Sequence, residues 1–307
     1  MIQFDPSQFK SEIYAHLKQR GGKYDGMIKG LKAFRFYTRL TFQQTRGDLL
    51  ESYYVLMRYI DDIVDGDAPL PEGYATPLEY VEAKIRFSET RNRPNDEADY
   101  LMLYCFDLAH KLHIEIDKET TSILNSMRFD ALRRFYPQKV PDAEEYGKMI
   151  ICSEKVLHEH FHLLDIEGTV NGAIKVFGRD PDQLYSAIEP LGEASRIFYN
   201  LKDYWEDIKA GLVNISREDI TAYRISEEDI VLMREQSMRD DLEHKVLASG
   251  AERWFHDQAR IGLNKIEESR RLRRNERIGL VVSYTLRRVY ERPAEEFFEG
   301  ALASYAT

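Results

Sequence analysis

Apolar residues recur along most of the chain at intervals of three and four positions, the pattern of helices that bury one face. Alternation typical of strands is scarce, and no internal repeat is found. No linker is long enough to separate two domains, so the sequence predicts one all-α domain over residues 1–307. The predicted helices are 7–20, 24–41, 45–65, 77–90, 96–113, 118–135, 142–166, 181–210, 226–248, 250–271 and 276–291, the 181–210 helix starting with Asp180 as N-cap and Pro181 in its first turn.

Two short acidic segments place like charges at helical spacing. Asp61 and Asp65 lie four residues apart, and so do Asp203 and Asp207. On a helix this spacing puts both carboxylates on one face, which costs about a few tenths of a kcal/mol unless a cation binds there. Two acidic faces meeting across a helical pocket would form an oxygen-rich Mg²⁺ site, and Mg²⁺ is a natural carrier of diphosphate.

Aromatic and basic residues share the face of each acidic pair. Tyr54 and Arg58 precede the first pair, and Arg196 and Tyr199 precede the second, all at helical spacings. Such a stripe suits a metal-bound diphosphate beside a hydrocarbon. The alternative for the first pair is a solvated helix end with an Arg58–Asp62 ion pair, and for the second it is a charged outer face.

Composition narrows the class of protein. With 43% hydrophobic and 31% charged residues, the chain is expected to be compact and soluble, and its net charge of −10 argues against nucleic acid as a partner. Cys105 and Cys152 form no motif and are expected to be buried thiols. We find no signal-peptide pattern and no membrane-spanning stretch, and therefore expect a cytoplasmic protein with at most peripheral membrane contact. The basic run 270–274 is interpreted as a solvated helix end, with anionic lipid contact as the alternative.

The acidic segments belong to an ordered set that resembles the squalene/phytoene synthase family, the head-to-head branch of the class I isoprenoid synthases. The resemblance covers about residues 30–290. The family's Arg-x-x-Asp-x-x-x-Asp motif is matched by Arg58, Asp61 and Asp65. Its second motif is matched from Leu191-Gly192-Glu193 through Lys202 and Asp203 to Asp207, and two further segments by Met127 to Asp130 and by Tyr284.

The resemblance implies a class I isoprenoid synthase helical bundle with a central pocket for one or two allylic diphosphates. It implies that Asp61, Asp65, Asp203 and Asp207 bind Mg²⁺, and that diphosphate leaves to give an allylic cation. Arg58 and Lys202 would stabilise the leaving group. Aromatic faces would stabilise the cation, and the candidates are Tyr53, Tyr54, Phe198, Tyr199 and Tyr284.

The chain departs from the family pattern at several positions. The family's Ser-x-Ser-Phe segment becomes Lys32 to Arg35, where Lys32 or Arg35 would supply charge instead of the serines. Two family amides become Arg196 and Tyr199, with Asn200 one residue out of register. Other departures are Ser153 to Leu157 in place of Ala-Gly-Thr-Val-Gly, and Leu212 and Asn214 beyond the second motif. These changes affect placement of a second prenyl diphosphate more than metal binding.

A competing motif occurs at His158 to His162, which contains the His-Glu-x-x-His pattern of zinc hydrolases. Two histidines four apart on a helix can bind Zn²⁺, with Glu159 as base. Glu189 and Glu193 are the candidates for a third ligand. Because such short patterns arise by chance, a polar helix surface is the favoured interpretation.

Three functions remain after this reasoning. The leading hypothesis is a Mg²⁺-dependent prenyltransferase that couples two allylic diphosphates, farnesyl or geranylgeranyl, head to head. The second is a terpene cyclase or unusual prenyltransferase that uses one prenyl diphosphate, and the third is a non-catalytic binding or assembly relative. No glycine-rich dinucleotide motif is found, which argues weakly against NADPH-dependent reduction and leaves NADPH as an open cofactor. Chain length and oligomeric state are not predicted.

Overall fold

The computed structural model describes residues 4–19, 25–147, 149–239, 247–274, 283–284 and 286–305. Helices dominate these residues, which confirms the predicted all-α class. The helices are α1 (Pro6–Gln19), α2 (Asp25–Leu40), α3 (Gln44–Asp65), α4 (Pro77–Thr90), α5 (Glu97–Lys111), α6 (Asp117–Phe135), α7 (Glu154–Phe161), α8 (Asn171–Val176), α9 (Pro181–Lys202), α10 (Tyr204–Lys209), α11 (Arg217–Tyr223), α12 (Glu227–Ser237), α13 (Ser249–Arg273) and α14 (Arg292–Tyr305). A 3₁₀ turn covers Pro137–Lys139, and π-helical segments cover His162–Val170 and Arg287–Glu291.

The predicted helix over 142–166 is wrong in its first part, which forms a β-hairpin. Strands β1 (Ala143–Tyr146) and β2 (Met149–Cys152) pair antiparallel, with Ala143 opposite Cys152. Gly147 has a φ of 58°, which glycine adopts without steric cost in the turn. The apolar run of β2 contains two β-branched isoleucines, which favour extended structure, and a run this short has no period that distinguishes strand from helix.

Helix starts follow local chemistry. Helix α9 begins at Pro181, as predicted. Helices α8, α11 and α14 were not predicted, and the predicted helices 226–248 and 276–291 lie partly outside the described residues.

The side chains that accept a backbone N–H in the first turn of a helix are Thr76, Asp96, Ser153, Ser216 and Ser226.

The chain folds as two compact units, Met1–Arg128 with Glu167–Tyr185 and Phe129–Ile166 with Ser186–Thr307. In the first unit α3 packs against α1, α2, α4 and α5. Its core includes Leu49, Leu56, Ile60, Leu101 and Met102, each at most 1% exposed. The single domain inferred from the sequence stays a prediction.

In the second unit α13 packs against α11 and α14, and α10 packs against α12. The buried aromatic residues Tyr204, Trp254 and Phe298 belong to its core.

Ion pairs join the end of α13 to the segment before α14. Arg270 Nε lies 2.8 Å from Glu291 Oε2, and Arg273 also pairs with this glutamate, which is buried. The prediction of a solvated helix end is therefore wrong for Arg270 and Arg273. It holds for Arg271 and Arg274, which are exposed.

Both cysteines are buried with unbonded thiols, as expected. Burial raises the pKa of each thiol, so neither is prone to act as a thiolate. In the described part of the chain, the structure contains no helix with the length and apolar character needed to cross a bilayer.

Candidate active site

Helix α3 brings the first set of predicted residues together on one stripe. Tyr54, Arg58, Asp61 and Asp65 are all partly exposed, at intervals of four, three and four residues. The residues between them are mostly buried, including Leu56, Ile60 and Val64 in the core. The helix therefore presents an accessible face that carries one aromatic ring, one guanidinium group and two carboxylates.

Arg58 contacts two aspartates at once. Its Nη1 lies 2.7 Å from Asp61 Oδ2, and its Nε donates to Asp62 Oδ1 at 2.7 Å. Asp62 is 1% exposed, and its Oδ2 lies 3.6 Å from His16 Nε2 on α1. The alternative Arg58–Asp62 pair is thus present, but it coexists with a contact to Asp61. Asp62 accepts a hydrogen bond from the guanidinium group of Arg58 and so fixes its position. The same group contacts Asp61 on the accessible stripe.

The first motif stands at the last turn of α3. Gly66 follows Asp65 with a φ of 79°, and its N–H donates to the carbonyls of Asp62 and Ile63. Asp67 N–H also donates to the Asp62 carbonyl, at 2.8 Å. Glycine is favoured in this left-handed position because it has no Cβ. The helix consequently stops directly after Asp65, with the acidic pair at its end.

Lys32 and Arg35, the predicted replacements for the family's serines, lie on α2. Arg35 Nη1 is 2.8 Å from Glu51 Oε2, and its Nε is 3.2 Å from Asp48 Oδ1. Lys32 is exposed, with Nζ 5.8 Å from the centre of the Tyr14 ring. Acidic neighbours therefore balance the charge of Arg35, whereas Lys32 extends into solvent. Their roles as diphosphate ligands stay predictions.

The second acidic pair lies at the junction of α9 and α10. Asp203 N–H donates to the Tyr199 carbonyl, and Asp207 N–H donates to the Asp203 carbonyl, each at 2.9 Å. Both bonds join residues four apart, but Asp203 itself has a φ of −94° and a ψ of 10° and interrupts the helix, so α9 ends at Lys202 and α10 begins at Tyr204. That the two carboxylates share one face stays a prediction. Lys202 Nζ lies 5.5 Å and 5.8 Å from the ring centres of Phe198 and Tyr199, within cation–π range.

Asp207 is the member of this pair whose pKa is shifted. Burial first, and then the negative charge of Asp203, raise the pKa of the Asp207 carboxyl to about 7. Arg196 and Arg133 act in the opposite direction without cancelling the shift. Two carboxylates are therefore held close in a poorly hydrated place, an arrangement that a cation would relieve.

A buried network that the sequence did not predict holds Asp207 in position. Asn214 Nδ2 donates to Asp207 Oδ2 at 2.9 Å, and Arg133 Nη1 donates to Asn214 Oδ1 at 3.0 Å. Arg133 is 3% exposed, and it also lies 3.4 Å from Asp130 Oδ1. The three-residue spacing of Asp130 and Arg133 on α6 was the available signal for their contact. The hydrogen bond between Arg133 and Asn214 joins residues 81 positions apart, and no sequence pattern predicts it.

His160 completes this network. Its Nε2 lies 3.4 Å from Asp130 Oδ1, and the ring is buried against Phe129. Burial opposes ionisation of Asp130, but His160 and Arg133 outweigh it and hold the pKa of that carboxyl well below its usual range. Asp130, which belongs to a segment matched by the family resemblance, is therefore ionised. Through Arg133 and Asn214 it is linked to Asp207 of the second motif.

Arg196 forms a bidentate ion pair with Asp165. Its Nε lies 2.7 Å from Oδ2 and its Nη2 3.3 Å from Oδ1, and its Nη1 donates to Asn200 Oδ1 at 3.3 Å. Burial lowers the pKa of Arg196, but the charge of Asp165 outweighs this and raises it. The arginine that replaces a family amide therefore carries its own counter-ion.

Tyr284 lies in an exposed position. Its ring is 60% exposed, and its hydroxyl accepts a hydrogen bond from Arg288 Nη1 at 2.6 Å. The predicted role in lining an apolar pocket gains no support from this position and stays a prediction.

The His-Glu-x-x-His pattern does not form a metal centre among the described residues, which contain no group of three or more His, Cys, Asp or Glu side chains placed to hold an ion. His158 is exposed at the end of α7, and the centre of its ring lies 6.2 Å from that of His162. Glu193, a candidate third ligand, instead pairs with Lys265 at 2.6 Å. The polar-surface interpretation is the one that these contacts support.

The raised pKa of Asp207 predicts a pH-dependent stability change. The folded chain keeps a proton that the unfolded chain loses between about pH 4 and 7, so stability falls as pH rises through this window. Asp207→Asn removes the charge and should raise the unfolding free energy at pH 8 by about 1–2 kcal/mol, a value reduced for partial exposure.

Urea unfolding in a chelating buffer measures this difference. At pH 4.5 most of this difference should be gone, because Asp207 is then protonated in the folded chain and only the first part of the window has been crossed. An equal difference at both pH values would contradict the assigned shift.

Comparison with known proteins identifies the family and the fold. The squalene/phytoene synthase family model matches residues 32–304. A solved structure of a dehydrosqualene synthase in complex with a ligand aligns with a TM-score of 0.55 and 16% identity, over 96% of this chain and 86% of its own. That likeness shows the fold, a class I isoprenoid synthase helical fold. No curated protein sequence matches significantly. The family match supports a prenyltransferase-like activity, and with most of its length matched the chain belongs to the squalene/phytoene synthase family.

Proposed function

We propose that this chain is a Mg²⁺-dependent prenyltransferase that ionises allylic diphosphates and couples two of them head to head, with release of diphosphate. Farnesyl and geranylgeranyl diphosphate are the proposed substrates. The family match supports the general class of activity. The metal, the substrates and the coupling rest on the site residues described above.

The pairing of Asp203 with Asp207 is the observation that carries the proposal. The chain gains no stability from a carboxylate pair in which burial, and then the charge of Asp203, raises the pKa of Asp207 to about 7. Each acidic pair supplies two carboxylate ligands. Mg²⁺ characteristically uses one or two carboxylates and completes its shell with water and substrate phosphate. The donor chemistry of both pairs therefore fits Mg²⁺.

When bound, Mg²⁺ would act as a Lewis acid and template for the departing diphosphate. Each acidic pair would bind Mg²⁺ by itself, Asp61 with Asp65 and Asp203 with Asp207. Arg58 and Lys202 add fixed positive charge near the two pairs, which stabilises negative charge that develops on the leaving group. Asp62 fixes the guanidinium of Arg58, as its hydrogen bond at 2.7 Å shows.

The aromatic residues beside each acidic pair are suited to stabilise the allylic cation that forms when diphosphate leaves. The carbon–oxygen bond to diphosphate breaks, the electron pair leaves with the diphosphate, and an allylic cation remains. The rings of Tyr54, Phe198 and Tyr199 can stabilise this cation through their π faces. Phe198 packs edge-on against Phe297 with ring centres 5.4 Å apart, which limits the motion of its ring.

The Arg196–Asp165 ion pair favours a second candidate function. In place of a neutral amide, the chain has a charged pair, and the amide of Asn200 is bonded to Arg196. This change alters the group that would position a second prenyl diphosphate. The second candidate is therefore an enzyme that uses one prenyl diphosphate, as a cyclase or as a transferase to another acceptor.

Incubation of the purified chain with Mg²⁺ and farnesyl or geranylgeranyl diphosphate, with and without NADPH, tests both functions. Diphosphate release and mass spectrometry of the products are the readouts. A product with twice the carbon number supports coupling, and a product of unchanged carbon number supports the second candidate. No turnover together with no binding of Mg²⁺-diphosphate would overturn both and favour a binding or assembly role.

A further inference from the structure

The outer side of α2 and the turn that follows it expose an apolar cluster. Phe36 and Leu40 are each 64% exposed, Phe42 is 94% exposed and Tyr37 is 38% exposed. Of the ten large apolar side chains that are exposed in the described residues, these four fall within seven positions. Single exposed apolar residues are ordinary, but a contiguous group marks a surface that contacts something other than water.

Basic residues share this face. Lys29, Lys32, Phe36 and Arg39 follow one another at intervals of three and four residues, and all are exposed. The opposite side of the helix is buried, with Phe34 packed edge-on against Phe177 at 5.0 Å between ring centres. We call the exposed side the α2 surface, which consists of Lys29, Lys32, Phe36, Arg39, Leu40 and Phe42.

The α2 surface has the opposite charge to the chain as a whole. Residues 29–42 contain four basic and no acidic residues, whereas the chain carries a net charge of −10. Arg35 is occupied by Asp48 and Glu51, which leaves Lys29, Lys32 and Arg39 on the surface. A local positive charge of this kind attracts an anionic partner that the rest of the molecule repels.

The turn that ends the surface holds its most exposed ring outward. Phe42 has a φ of 58°, in the left-handed region that bulky residues rarely adopt. Gln43 N–H donates to the Thr38 carbonyl at 2.7 Å and closes the turn. The Phe42 side chain is therefore almost fully exposed just after the end of α2.

A polar cavity of about 340 Å³ lies beside the α2 surface, within the first unit. Its lining includes Lys32 and Arg39 from α2, the serines of α1 and the carboxylate of Glu51. Glu51 is already paired with Lys10 and Arg35, so the remaining ammonium, guanidinium and hydroxyl groups suit a phosphate group.

We propose that the α2 surface docks on an anionic lipid bilayer. Phe36, Leu40 and Phe42 enter the interfacial layer, while Lys29 and Arg39 bind lipid phosphates, Arg39 at the cavity. Exposed aromatic and aliphatic side chains beside lysine and arginine are the composition of helices that lie in a membrane interface. The net positive charge of this surface fits anionic headgroups, and because docking requires no turnover, the proposal stands independently of the proposed function.

Co-sedimentation of the full chain with vesicles tests the proposal. We expect binding to phosphatidylcholine vesicles that contain phosphatidylglycerol, weaker binding to phosphatidylcholine alone, and loss of binding at high salt. The variant F36S/L40S/F42S should bind at least tenfold more weakly. The variant K29Q/R39Q should lose about tenfold on anionic vesicles only.

Matched controls lie elsewhere on the chain. Leu232→Ser, at a site that is 49% exposed, and Lys111→Gln, at a side chain that is 58% exposed, should bind like the wild type. Circular dichroism confirms that each variant is folded.

Three results would overturn the proposal. The first is a wild type that ignores anionic vesicles, and the second is a triple variant that binds them equally well. The third is a different occupant of the surface: inorganic phosphate bound with no vesicle binding indicates a soluble-anion site, and self-association lost in the triple variant indicates a second copy of the chain.

Discussion

Asp61→Asn and Asp203→Asn should each lower kcat by about a hundredfold or more while the protein stays folded. Each substitution removes one charge from a proposed Mg²⁺ ligand, and loss of one electrostatic contact to developing charge costs on the order of a hundredfold to a thousandfold. Both side chains are partly exposed, so the change to asparagine leaves no large cavity. Steady-state assays of diphosphate release measure the effect, and isothermal titration of Mg²⁺-diphosphate should show weaker binding.

Matched controls come from exposed acidic residues near each pair. Asp67→Asn lies just beyond the end of α3, and Glu206→Gln lies beside Asp207, and both side chains are exposed. These variants should keep turnover within about threefold of wild type, since they change the net charge by the same amount outside the proposed stripes. Wild-type turnover in a folded Asp61→Asn or Asp203→Asn variant would remove the metal assignment.

Arg196→Gln should destabilise the protein by about 2–3 kcal/mol. The substitution breaks a bidentate pair whose side chains are only 20% and 14% exposed, and it leaves Asp165 as an uncompensated charge. The glutamine would match the family's amide, but Asp165 would lose the positive charge with which it pairs. Urea unfolding at neutral pH measures the loss.

The double variant Asp165→Asn/Arg196→Gln should recover most of that stability, because it removes both charges together. Asp165→Asn alone provides the third corner of the cycle and should also be destabilised. If the double variant is as unstable as the sum of the two single variants, the contact between Arg196 and Asp165 contributes nothing and the pairing is wrong.

This coupling changes how the family's second-substrate residues should be restored. Arg196→Gln with Tyr199→Asn restores the two family amides, but it leaves Asp165 unpaired. The triple variant that adds Asp165→Asn is therefore the better test of whether these amides favour coupling of two prenyl groups. We expect a larger share of product with doubled carbon number from the triple variant. An unchanged product distribution would mean that other residues already fulfil this role.

Much of the first motif could be read from the sequence because its geometry is local. A helix places Arg58, Asp61 and Asp65 on one face whatever surrounds it, and the structure shows all three partly exposed on that face. For Asp203 and Asp207 a shared face stays a prediction, because Asp203 is not helical and lies between α9 and α10. The caps and the start of α9 at Pro181 are local as well.

The hairpin over 143–152 shows where local patterns fail. Its second strand is a short apolar run that suits a buried helix or a strand equally well. Pairing with β1 and burial against the second unit's core determine the outcome, and neither is visible in the order of residues.

The sequence by itself determined the fold class, the family and the face on which the first acidic pair lies, because helix geometry and motif order act over a few residues at a time. Only the tertiary structure decided which side chains the predicted site residues contact. Asp165 reaches Arg196 across 31 residues, and Arg133 reaches Asn214 across 81. Such contacts depend on how helices pack. Packing brings together side chains that are far apart in the sequence, and no repeating spacing predicts which of them will meet.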